Sequence, residues 1–311
     1  MHYISVIMSV YNEREIWLKQ AIESILTQTY TNFEFIIILD NPSNDNLRKL
    51  ILDYSDKDNR IRFIENEKNR GLVYSLNLAL KLAKGNLIAR MDADDISEAE
   101  RFEKQINLLD STGYDIVATA VRFINEEGNT LGVSSSYGQT PEKCKQSLFY
   151  RMILFHPTWM FRSNIIEDIG LYNNVETAED YDLICRAVSA GKKAVNMPEV
   201  LSNYRLRNNG ISIGKASQQN RTMQIIQREY SQSIRNNKQY DGKSVIRQAE
   251  RIDYGKKHSF YSITSNLYKD ACSQLKSRNI KGFFKLLISL LLNLSNLKHF
   301  VYTVKLKRIN G

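Results

Sequence analysis

Three aspartates stand within four positions of one another in the stretch MDADD. Asp92, Asp94 and Asp95 follow NLIAR, an apolar stretch typical of a buried β-strand, so their carboxylates come where that strand ends. Hard divalent cations take oxygen ligands, and Mg²⁺ is commonly held by one or two carboxylates together with substrate phosphates. The spacing therefore indicates a metal site for a phosphorylated ligand. A simpler interpretation stays open, in which Asp95 or Ser97 only caps a helix that begins near Ala99.

Alternating strands and helices must position these aspartates. Short apolar runs predict strands over residues 3–11, 32–40, 61–66, 86–91 and 115–125. Apolar residues at helical spacing predict helices over 12–30, 47–55, 71–85 and 99–113, with Gly85 as the stop of the third helix and a turn over 126–132. This order predicts an α/β fold with a mainly parallel sheet and helices on both faces.

Polar residues follow several of the predicted strands. Tyr11 and Asn12 come after the first strand, Asp40 ends the second, and Glu65 and Asn66 end the third. In open α/β sheets, ligands bind outside the carboxyl ends of the strands. We therefore expect these side chains and the three aspartates to share one crevice.

Charge is distributed unevenly along the 311 residues. Residues 1–200 carry 22 Lys and Arg against 29 Asp and Glu, whereas residues 201–311 carry 21 against 5. A basic region of this kind suits nucleic acid, an anionic membrane surface or a phosphorylated ligand. The 42% of hydrophobic and 25% of charged residues are ordinary for a folded globular protein and argue against wholesale disorder.

The cysteines and the first residues of the chain bear on its location. Cys144, Cys185 and Cys272 are odd in number and lack metal-ligand spacing, which argues against a disulfide framework and a zinc site. The opening stretch YISVIMSVY has neither a basic region before it nor a small-residue cleavage site after it, so it is expected to be a strand and not a signal peptide. These features predict a protein of the reducing cytoplasm.

Two other nucleotide-binding signatures are absent. The first predicted strand-to-helix turn, SVYNERE, contains no glycine, which disfavours a dinucleotide-binding fold and hence a nicotinamide enzyme. The stretch DGKS at 241–244 resembles the end of a phosphate-binding P-loop, but Asn237 stands where that motif needs its first glycine.

Five stretches occur in an order that resembles the inverting glycosyltransferases of family 2, which have the GT-A fold. They are SVIMSVYNE, SILTQTYTNFEFIIILDNPSND, NRGLVYSLNLALKLAKGNLIARMDADD, HPTWMFR and AEDYDLICRAVSAG, and they span roughly the first two thirds of the chain. The resemblance differs in one place, because Asn41, Pro42 and Ser43 stand where the family often has Asp-Gly-Ser.

This resemblance implies a nucleotide-sugar site. Tyr11 and Asp40 would hold the nucleotide base, Asp92 and Asp94 would contact the donor, and Asp94 and Asp95 would hold Mn²⁺ or Mg²⁺ at the diphosphate. Such a metal would neutralise charge as the nucleoside diphosphate leaves. The resemblance extends the donor site to Asn12, Glu13, Asn69, Gly71, Asn77, Arg90 and Ala93.

The resemblance also places the catalytic base in the pair Glu179 and Asp180, with Asp180 taking the proton from the acceptor hydroxyl. Alternatively, the pair only stabilises a helix N-terminus. Acceptor or diphosphate contacts are expected from Glu179, His156, Trp159, Arg205 and Arg207, the arginines lying in a loop, YRLRNNGIS, that would close over the donor. A hydrogen-bonded core role for His156 and solvated arginines remain open alternatives.

The last third predicts a helical region, with a boundary between a catalytic domain at 1–215 and a basic region at 216–311. Residues 280–308 predict an amphipathic helix, with its polar residues (Lys281, Lys285, Ser289, Asn293 and Asn296) opposite an apolar face (Phe284, Leu287, Leu291, Leu294 and Leu297). Its least interrupted apolar stretch, 286–292, is too short to span a bilayer. The helix is expected to lie on an anionic membrane surface, or to pack on the catalytic domain or in a homo-oligomer.

Taken with these features, the resemblance implies a cytoplasmic, metal-dependent enzyme, peripheral on the inner face of the membrane, that moves a hexosyl group from a UDP-sugar to a glycan or lipid-linked saccharide. Its pathway would be synthesis of a surface polysaccharide such as capsule, O-antigen or lipooligosaccharide. A nucleotidyltransferase of similar fold is one alternative, disfavoured because no early glycine-rich phosphate loop is present. A basic nucleic-acid-binding protein is another, disfavoured by the leucine-rich tail and the acidic N-terminal region; no nucleic-acid partner is expected.

Overall fold

One mixed β-sheet forms the centre of the molecule. The computed structural model describes residues 1–249 except 136, 176 and 208–215, and also residues 285, 286, 289 and 294–310. In this described part the sheet has nine strands, in the order β3-β2-β1-β4-β8-β6-β9-β5 with β7 paired to β6. Their bounds are β1 Ile4–Val10, β2 Phe33–Leu39, β3 Ile61–Glu65, β4 Leu87–Asp92, β5 Ile96–Ser97, β6 Ile116–Ile124, β7 Thr130–Val133, β8 Met160–Arg162 and β9 Ala194–Arg205.

Helices connect these strands and continue beyond them. The described helices are α1 Glu15–Leu26, α2 Asp45–Ser55, α3 Leu72–Leu82, α4 Arg101–Thr112, α5 Pro141–Ser147, α6 Ile165–Ile169, α7 Glu179–Ser189, α8 Ala216–Arg235, α9 Lys243–Ala249 and α10 Leu294–Asn310. A short 3₁₀ turn, His156–Thr158, precedes β8.

The first half of the sheet is parallel. Strand β1 pairs in parallel with both β2 and β4, and β2 pairs in parallel with β3. In the second half, β6 and β9 are parallel, whereas β8 runs antiparallel between β4 and β6. The predicted α/β fold with a mainly parallel sheet is confirmed.

The strand register brings the predicted site residues to one edge. Asp92 lies opposite Ser9, Val10 opposite Leu39, and Leu39 opposite Glu65. The carboxyl ends of β1 to β4 therefore lie side by side, and the loops that follow them meet at the same edge of the sheet.

Alternation of side chains along the strands fills a hydrophobic core on each face. On β2, Ile36 and Ile38 belong to one buried cluster, whereas Phe35, Ile37 and Leu39 belong to the other. Helix α3 covers the first face with residues such as Leu76 and Ala79, and α1 covers the second with Leu18, Ala21, Ile22 and Ile25. Because both faces are covered, the central strands β1 and β2 consist mostly of apolar residues on both faces.

Three local expectations need correction. Helix α4 begins at Arg101, and its N-cap residue Glu100 makes no side-chain capping bond, so neither Asp95 nor Ser97 caps it. Helix α3 ends at Leu82, three residues before Gly85. Gly85 instead lies against β1, where a Cβ atom would come within 2.5 Å of the backbone of Ser5. The predicted turn over 126–132 is shorter, because Thr130 already begins β7.

The region after residue 215 contributes to the same core. Ile226, Tyr230, Tyr240, Val245 and Leu306 belong to the buried cluster that also contains residues of β1 and β2. Residues 208–215, which contain the predicted domain boundary, lie outside the described part, and the boundary stays a prediction.

The predicted helix over 280–308 is described only in part. Leu294–Asn310 forms α10, whereas 280–284, 287–288 and 290–293 lie outside the described residues, and with them Lys281, Phe284, Leu287, Leu291 and Asn293. In the described part of the chain, no helix combines the length and apolarity that a transmembrane span requires.

Candidate functional site

The three aspartates of MDADD lie at the carboxyl end of β4 and in the turn that leads to β5. Asp92, Asp94 and Asp95 each offer a carboxylate oxygen within 4.8 Å of the other two. Asp94 and Asp95 are buried, and Asp92 is partly exposed. Three carboxylates so close together repel one another unless a cation lies among or beside them.

Asp95 is the most enclosed member of the cluster. Its Oδ1 accepts a hydrogen bond of 2.8 Å from the backbone N–H of Arg205, whereas its Oδ2 is buried without a hydrogen-bond partner among the described residues. Burial, then the charges of Asp94 and Asp92, raise the pKa of Asp95. Burial also raises the pKa of Asp94, to about 7, and the charge of Asp92 adds to the effect. An unpartnered carboxylate oxygen in an acidic cluster fits a hard divalent cation.

Two buried arginines balance part of this negative charge. Arg90, on β4, forms an ion pair with Asp92 through Nη1. Burial works to lower the pKa of Arg90, but the adjacent charge of Asp92 raises it on balance. Arg101 donates to the carbonyl oxygens of Pro157 at 2.8 Å and Arg90 at 3.3 Å, and burial lowers its pKa to about 9. Arg101 was not anticipated, because nothing in the sequence distinguishes it from a surface arginine of an amphipathic helix.

Arg205, at the end of β9, fixes the shape of the acidic turn. Its Nε donates to the carbonyl oxygen of Asp94 at 2.8 Å, and its Nη1 donates to the carbonyls of Asn125 and Glu126, both at 3.1 Å. Its Nη2 donates to Gln20 at 2.8 Å. With its donors occupied in this way, Arg205 holds the turn in place, and the expected diphosphate contact stays a prediction.

Arg207 lies directly beside the acidic cluster. Its Nε is 2.7 Å from Oδ2 of Asp94, and its Nη1 is 3.7 Å from Oε1 of Glu13. Burial raises the pKa of Glu13, and the charge of Arg207 works against that rise. Arg207 therefore supplies positive charge where the resemblance expects a metal. The rest of the expected mobile loop, from Asn208, lies outside the described residues.

Asp40 lies at the end of β2 in a pocket of backbone N–H groups. Its Oδ1 accepts from Asn66 Nδ2 at 2.6 Å and from Arg70 N at 2.8 Å, and its Oδ2 accepts from Gly71 N at 2.7 Å. Gly71 has φ of +85°, a conformation that glycine adopts most easily, and its N–H also donates to Asn69 Oδ1. Asn66 was seen only as a strand-end residue, and the structure gives it the role of orienting Asp40.

The segment after β1 borders this pocket. Tyr11 is 48% exposed, and its backbone N–H donates to Glu13 at 2.8 Å. Asn12 Oδ1 accepts a long hydrogen bond of 3.4 Å from Asn44, which also caps α2. The exposed ring of Tyr11 is available for stacking. In the Asn41, Pro42 and Ser43 turn, the carbonyl of Pro42 accepts from Arg48.

Glu179 and Asp180 occupy the first two positions of α7, as predicted. Burial raises the pKa of Asp180 to about 6 and that of Glu179 to about 8, and the charge of Asp180 adds to the rise for Glu179. The charges of Arg90 and Asp92, on β4, act on the pKa of both groups. The turn before the helix contains Thr177, with φ of +68°.

The remaining predicted residues are buried or, in the case of Asn77, partly buried. His156 Nε2 is 2.7 Å from Tyr172 Oη, its ring packs edge-on against Trp159, and burial lowers its pKa well below the usual range. Trp159 is completely buried, and Ala93 is almost completely buried. Asn77 exchanges two hydrogen bonds of 2.9 Å with the backbone of Tyr172. These contacts match the core alternative for His156, and binding roles for the four residues stay predictions.

The described residues offer two chemical capacities. The aspartates after β4 can hold a divalent cation and, with it, a diphosphate. The carboxylate pair at the start of α7 can accept a proton. Asp40 and Tyr11 border a separate part of the sheet edge at which the aspartates lie, where a flat ring with N–H donors and acceptors can bind.

Comparison with known proteins agrees with this geometry. The sequence profile of Glycosyl transferase family 2 matches residues 5–170. The O-antigen biosynthesis glycosyltransferase WbnJ of Escherichia coli is 34% identical over 207 residues, which cover 66% of this chain and 80% of that protein.

Two solved structures share the fold. A mannosyltransferase of Pyrobaculum calidifontis, in complex with GDP-Man and Mn²⁺, has a TM-score of 0.60 at 16% identity, covering 98% of this chain and 86% of that chain. TarS 1–349 of S. aureus, in complex with UDP-GlcNAc, has a TM-score of 0.59 at 15% identity, covering 97% of this chain and 92% of that chain. The profile match, the Escherichia coli relative and the shared fold together show that the chain belongs to glycosyl transferase family 2 and has the GT-A fold.

Proposed function

We propose that this glycosyltransferase moves a hexosyl group from a UDP-sugar to a hydroxyl of a glycan or lipid-linked saccharide, with inversion at the anomeric carbon, in the synthesis of a surface polysaccharide. The observation that carries the proposal is the cluster of Asp92, Asp94 and Asp95 at the carboxyl end of β4, whose carboxylate oxygens lie within 4.8 Å of one another. The charges of Arg90 and Asp92 act on Glu179 and Asp180 as well, which supports a shared site. The similarity to an O-antigen biosynthesis enzyme supports the polysaccharide context.

In this proposal, the donor nucleotide lies along the carboxyl ends of β1, β2 and β4. Asp40 fixes the base with the help of Asn66 and Gly71, and Tyr11 stacks on it. Asp92 and Asp94 contact the ribose and diphosphate. The solved structures of similar fold include one with a GDP-sugar and one with a UDP-sugar, so both donor types belong in the test.

Asp94 and Asp95 are the proposed ligands of Mn²⁺ or Mg²⁺. Their fit rests on the 4.8 Å spread of the carboxylate oxygens and on the buried, unpartnered Oδ2 of Asp95. A bound cation there would neutralise charge on the departing diphosphate. Arg90 and Arg101 hold the acidic turn against self-repulsion, and Arg205 ties its backbone to β9.

Asp180 is the proposed base. Its Oδ1 accepts a 2.7 Å hydrogen bond from Tyr181 N–H, and its second oxygen is the one proposed to take the proton of the acceptor hydroxyl. A single displacement requires the base on the side of the anomeric carbon opposite the leaving diphosphate, which inverts the configuration. We place the reaction in the cytoplasm, in keeping with the buried free thiols of Cys144 and Cys185.

The test combines binding and product analysis. UDP and GDP are titrated into wild type and Asp94→Ala, with and without Mn²⁺, and nucleotide sugars are then screened for hydrolysis or transfer. Metal-enhanced affinity for UDP in wild type alone supports the donor assignment, and an anomeric configuration opposite to that of the donor, read by NMR, supports inversion. Equal, metal-independent affinity in both proteins contradicts the metal site, and tighter binding of GDP contradicts the choice of uridine.

A further inference from the structure

Helix α10 has an apolar stripe that faces solvent. Leu297, Phe300, Val301 and Val304 are exposed by 38 to 53%. Their spacing of three, four and seven residues puts all four on the same side of the helix. We call them the α10 stripe. A contiguous set of large apolar side chains on a surface marks an interaction site more often than an isolated one does.

The opposite side of α10 is fixed to the protein. Leu306 is buried, and the ring of Tyr302 packs against that of Tyr150 at 5.3 Å. Asn310 accepts a 2.8 Å hydrogen bond from the backbone N–H of Gly138, which precedes α5, and donates one of 3.2 Å to Oγ of Ser147, the last residue of α5. The α10 stripe is therefore the second apolar side of a helix whose first side is already used in packing.

Exposed cations flank the stripe. On a helical wheel, Lys305 lies about 90° from the midline of the stripe on one side, and Lys307 lies about 70° from it on the other. Arg308 lies in line with the stripe, one turn beyond Val304. All three are exposed. Apolar side chains bordered by lysines on both sides form the pattern of a helix that lies in the plane of a bilayer interface, with the lysine heads in the phosphate layer.

Charge decides between the possible occupants of the stripe. The sequence of α10 contains four Lys and Arg and no Asp or Glu, and no acidic residue occurs after Asp270. A second α10 helix would offer no carboxylate to these cations. Nucleic acid would pair with the cations but leave Phe300 and Val304 in water. A bilayer with anionic lipid satisfies both the stripe and its cations.

We propose that the α10 stripe rests on the surface of an anionic phospholipid bilayer, with Phe300 and Val304 inserted among the acyl chains and Lys307 and Arg308 contacting lipid phosphates. This inference deepens the proposed function, because a lipid-linked acceptor would be met at that surface. It has its own test, since vesicle binding requires neither donor nor metal.

The experiment measures binding of the full chain to sedimenting vesicles of phosphatidylcholine alone or mixed with phosphatidylglycerol. Wild type is expected to bind the mixed vesicles, less so at high salt. The double variant Phe300→Asp/Val304→Asp is expected to bind roughly 10- to 100-fold more weakly, because it loses the two apolar side chains that the proposal places among the acyl chains. The variant Lys307→Gln/Arg308→Gln is expected to lose roughly fivefold for each charge removed, on the mixed vesicles only.

The control is Leu131→Asp/Val133→Asp, which adds the same charge at two apolar residues of β7 that are 59% and 57% exposed. It is expected to bind vesicles as wild type does. Unchanged binding of Phe300→Asp/Val304→Asp, or no vesicle binding by wild type, overturns the proposal.

Two further outcomes also overturn it. If Phe300→Asp/Val304→Asp dissociates a wild-type dimer in solution, the stripe is an interface between copies. If the same variant lowers Tm by several degrees, the stripe packs inside the chain. UDP affinity measured on these proteins tests the donor site separately, so a failure there leaves the vesicle result standing.

Discussion

The charge state of Asp180 depends on burial and on nearby charged residues. Burial raises the pKa of Asp180 to about 6 and that of Glu179 to about 8. The charges of Arg90 and Asp92 on β4 also act on both pKa values. The greater rise for Glu179, to which the charge of Asp180 contributes, favours Asp180 as the member of the pair that loses its proton first. Only an ionised carboxylate can accept the proton of an attacking hydroxyl, which gives a physical reason to choose Asp180 within the pair.

Replacing this carboxylate is expected to slow turnover without weakening donor binding. Asp180→Asn keeps size and hydrogen bonding but cannot accept a proton, so kcat should fall roughly 10²- to 10⁴-fold while UDP affinity is preserved. Glu179→Gln is the control, and it should have the smaller effect. Turnover close to wild type in Asp180→Asn would assign the base to another residue.

The pH dependence of wild type tests the same assignment. Because the pKa of Asp180 is raised to about 6, its carboxylate is protonated as the pH falls through that value. The rate constant kcat/KM should therefore fall below pH 6, about tenfold for each further pH unit if one group is responsible. A constant kcat/KM between about pH 4.5 and pH 7 would show that no group with such a raised pKa is the base.

Arg207 is expected to compete with cations at the acidic cluster. Its Nε is 2.7 Å from Asp94, so its guanidinium occupies a carboxylate that the proposed site needs. Arg207→Ala should raise the affinity for Mn²⁺ in the absence of nucleotide by about fivefold, the value of one partly exposed ion pair. The measurement is a Mn²⁺ titration followed by EPR.

The control for this titration is Arg60→Ala, because Arg60 forms an ion pair with Asp58 at the start of β3, at the opposite end of that strand from the candidate site. Its Mn²⁺ affinity should equal that of wild type. If Arg207→Ala binds Mn²⁺ more weakly than wild type, the arginine supports the cation site and does not compete with it.

At the scale of elements, the turn that starts α7 combines strain with a tie to another helix. Thr177 has φ of +68°, which is unfavourable for a β-branched residue, and its Oγ1 is buried without a hydrogen-bond partner in the described part of the chain. Gln219 of α8 donates to the carbonyl of Thr177 at 3.0 Å. Helix α8 therefore helps to hold Glu179 and Asp180 in position.

Relief of this strain should stabilise the protein. Thr177→Gly is expected to raise the free energy of unfolding by about 1 kcal/mol, because glycine adopts positive φ without a steric cost. Thr140→Gly is the matched control: Thr140 has extended backbone and caps α5 through Lys143 N, so the change should destabilise. Both are measured by chemical denaturation. A lower free energy of unfolding in Thr177→Gly would mean that the threonine makes a favourable contact.

The sequence predicted the first part of the fold well because each of its elements has a strong pattern. The run of apolar residues in β2 and the spacing of Leu18, Ile22 and Ile25 in α1 are visible without the structure. Strand β8 was missed because three residues are too few to show alternation. Strand β9 was missed because Pro198, within it, argues against a central strand.

The candidate site was predictable where chemistry shows in residue type. Asp92, Asp94 and Asp95 stand out in any sequence, and Asp180 follows from a family pattern. The partners of these residues could not be read in the same way. Arg205 reaches the carbonyl of Asp94 from another part of the chain, and the burial of Arg101 and His156 depends on tertiary packing. Such contacts leave no local periodicity.

At the scale of the whole molecule, one core crosses the predicted boundary at residue 215. Asp182 of α7 is fully buried and accepts from Tyr240 Oη at 2.8 Å, from Asn173 at 2.9 Å and from Arg186 at 2.9 Å. Tyr230 and Ile226 of α8 belong to the same buried cluster as Tyr181. Removal of the region after residue 215 would expose these residues and leave Asp182 without one of its partners.

We therefore expect residues 1–215 alone to be unstable. The truncated protein should lose cooperative unfolding or aggregate, and UDP binding should be lost with the fold. The milder variant Tyr240→Phe, which removes one hydrogen bond to a buried carboxylate, should lower the free energy of unfolding by about 1–3 kcal/mol. Thermal unfolding measures both. A truncated protein that unfolds cooperatively at the wild-type Tm would establish 1–215 as an independent domain.

The hydrogen bonds of Asn310 with Gly138 and Ser147 have a consequence for motion at a membrane. A protein attached to a bilayer by a flexible linker can rotate in all directions. A protein attached through a helix that is itself hydrogen-bonded to the rest of the fold can only diffuse laterally and rotate about the bilayer normal. With the α10 stripe seated on lipid, tilt and height would be set by the fold. The candidate site would then stay at a constant distance from the lipid headgroups. An acceptor hydroxyl would react only if it lies at that distance from the bilayer.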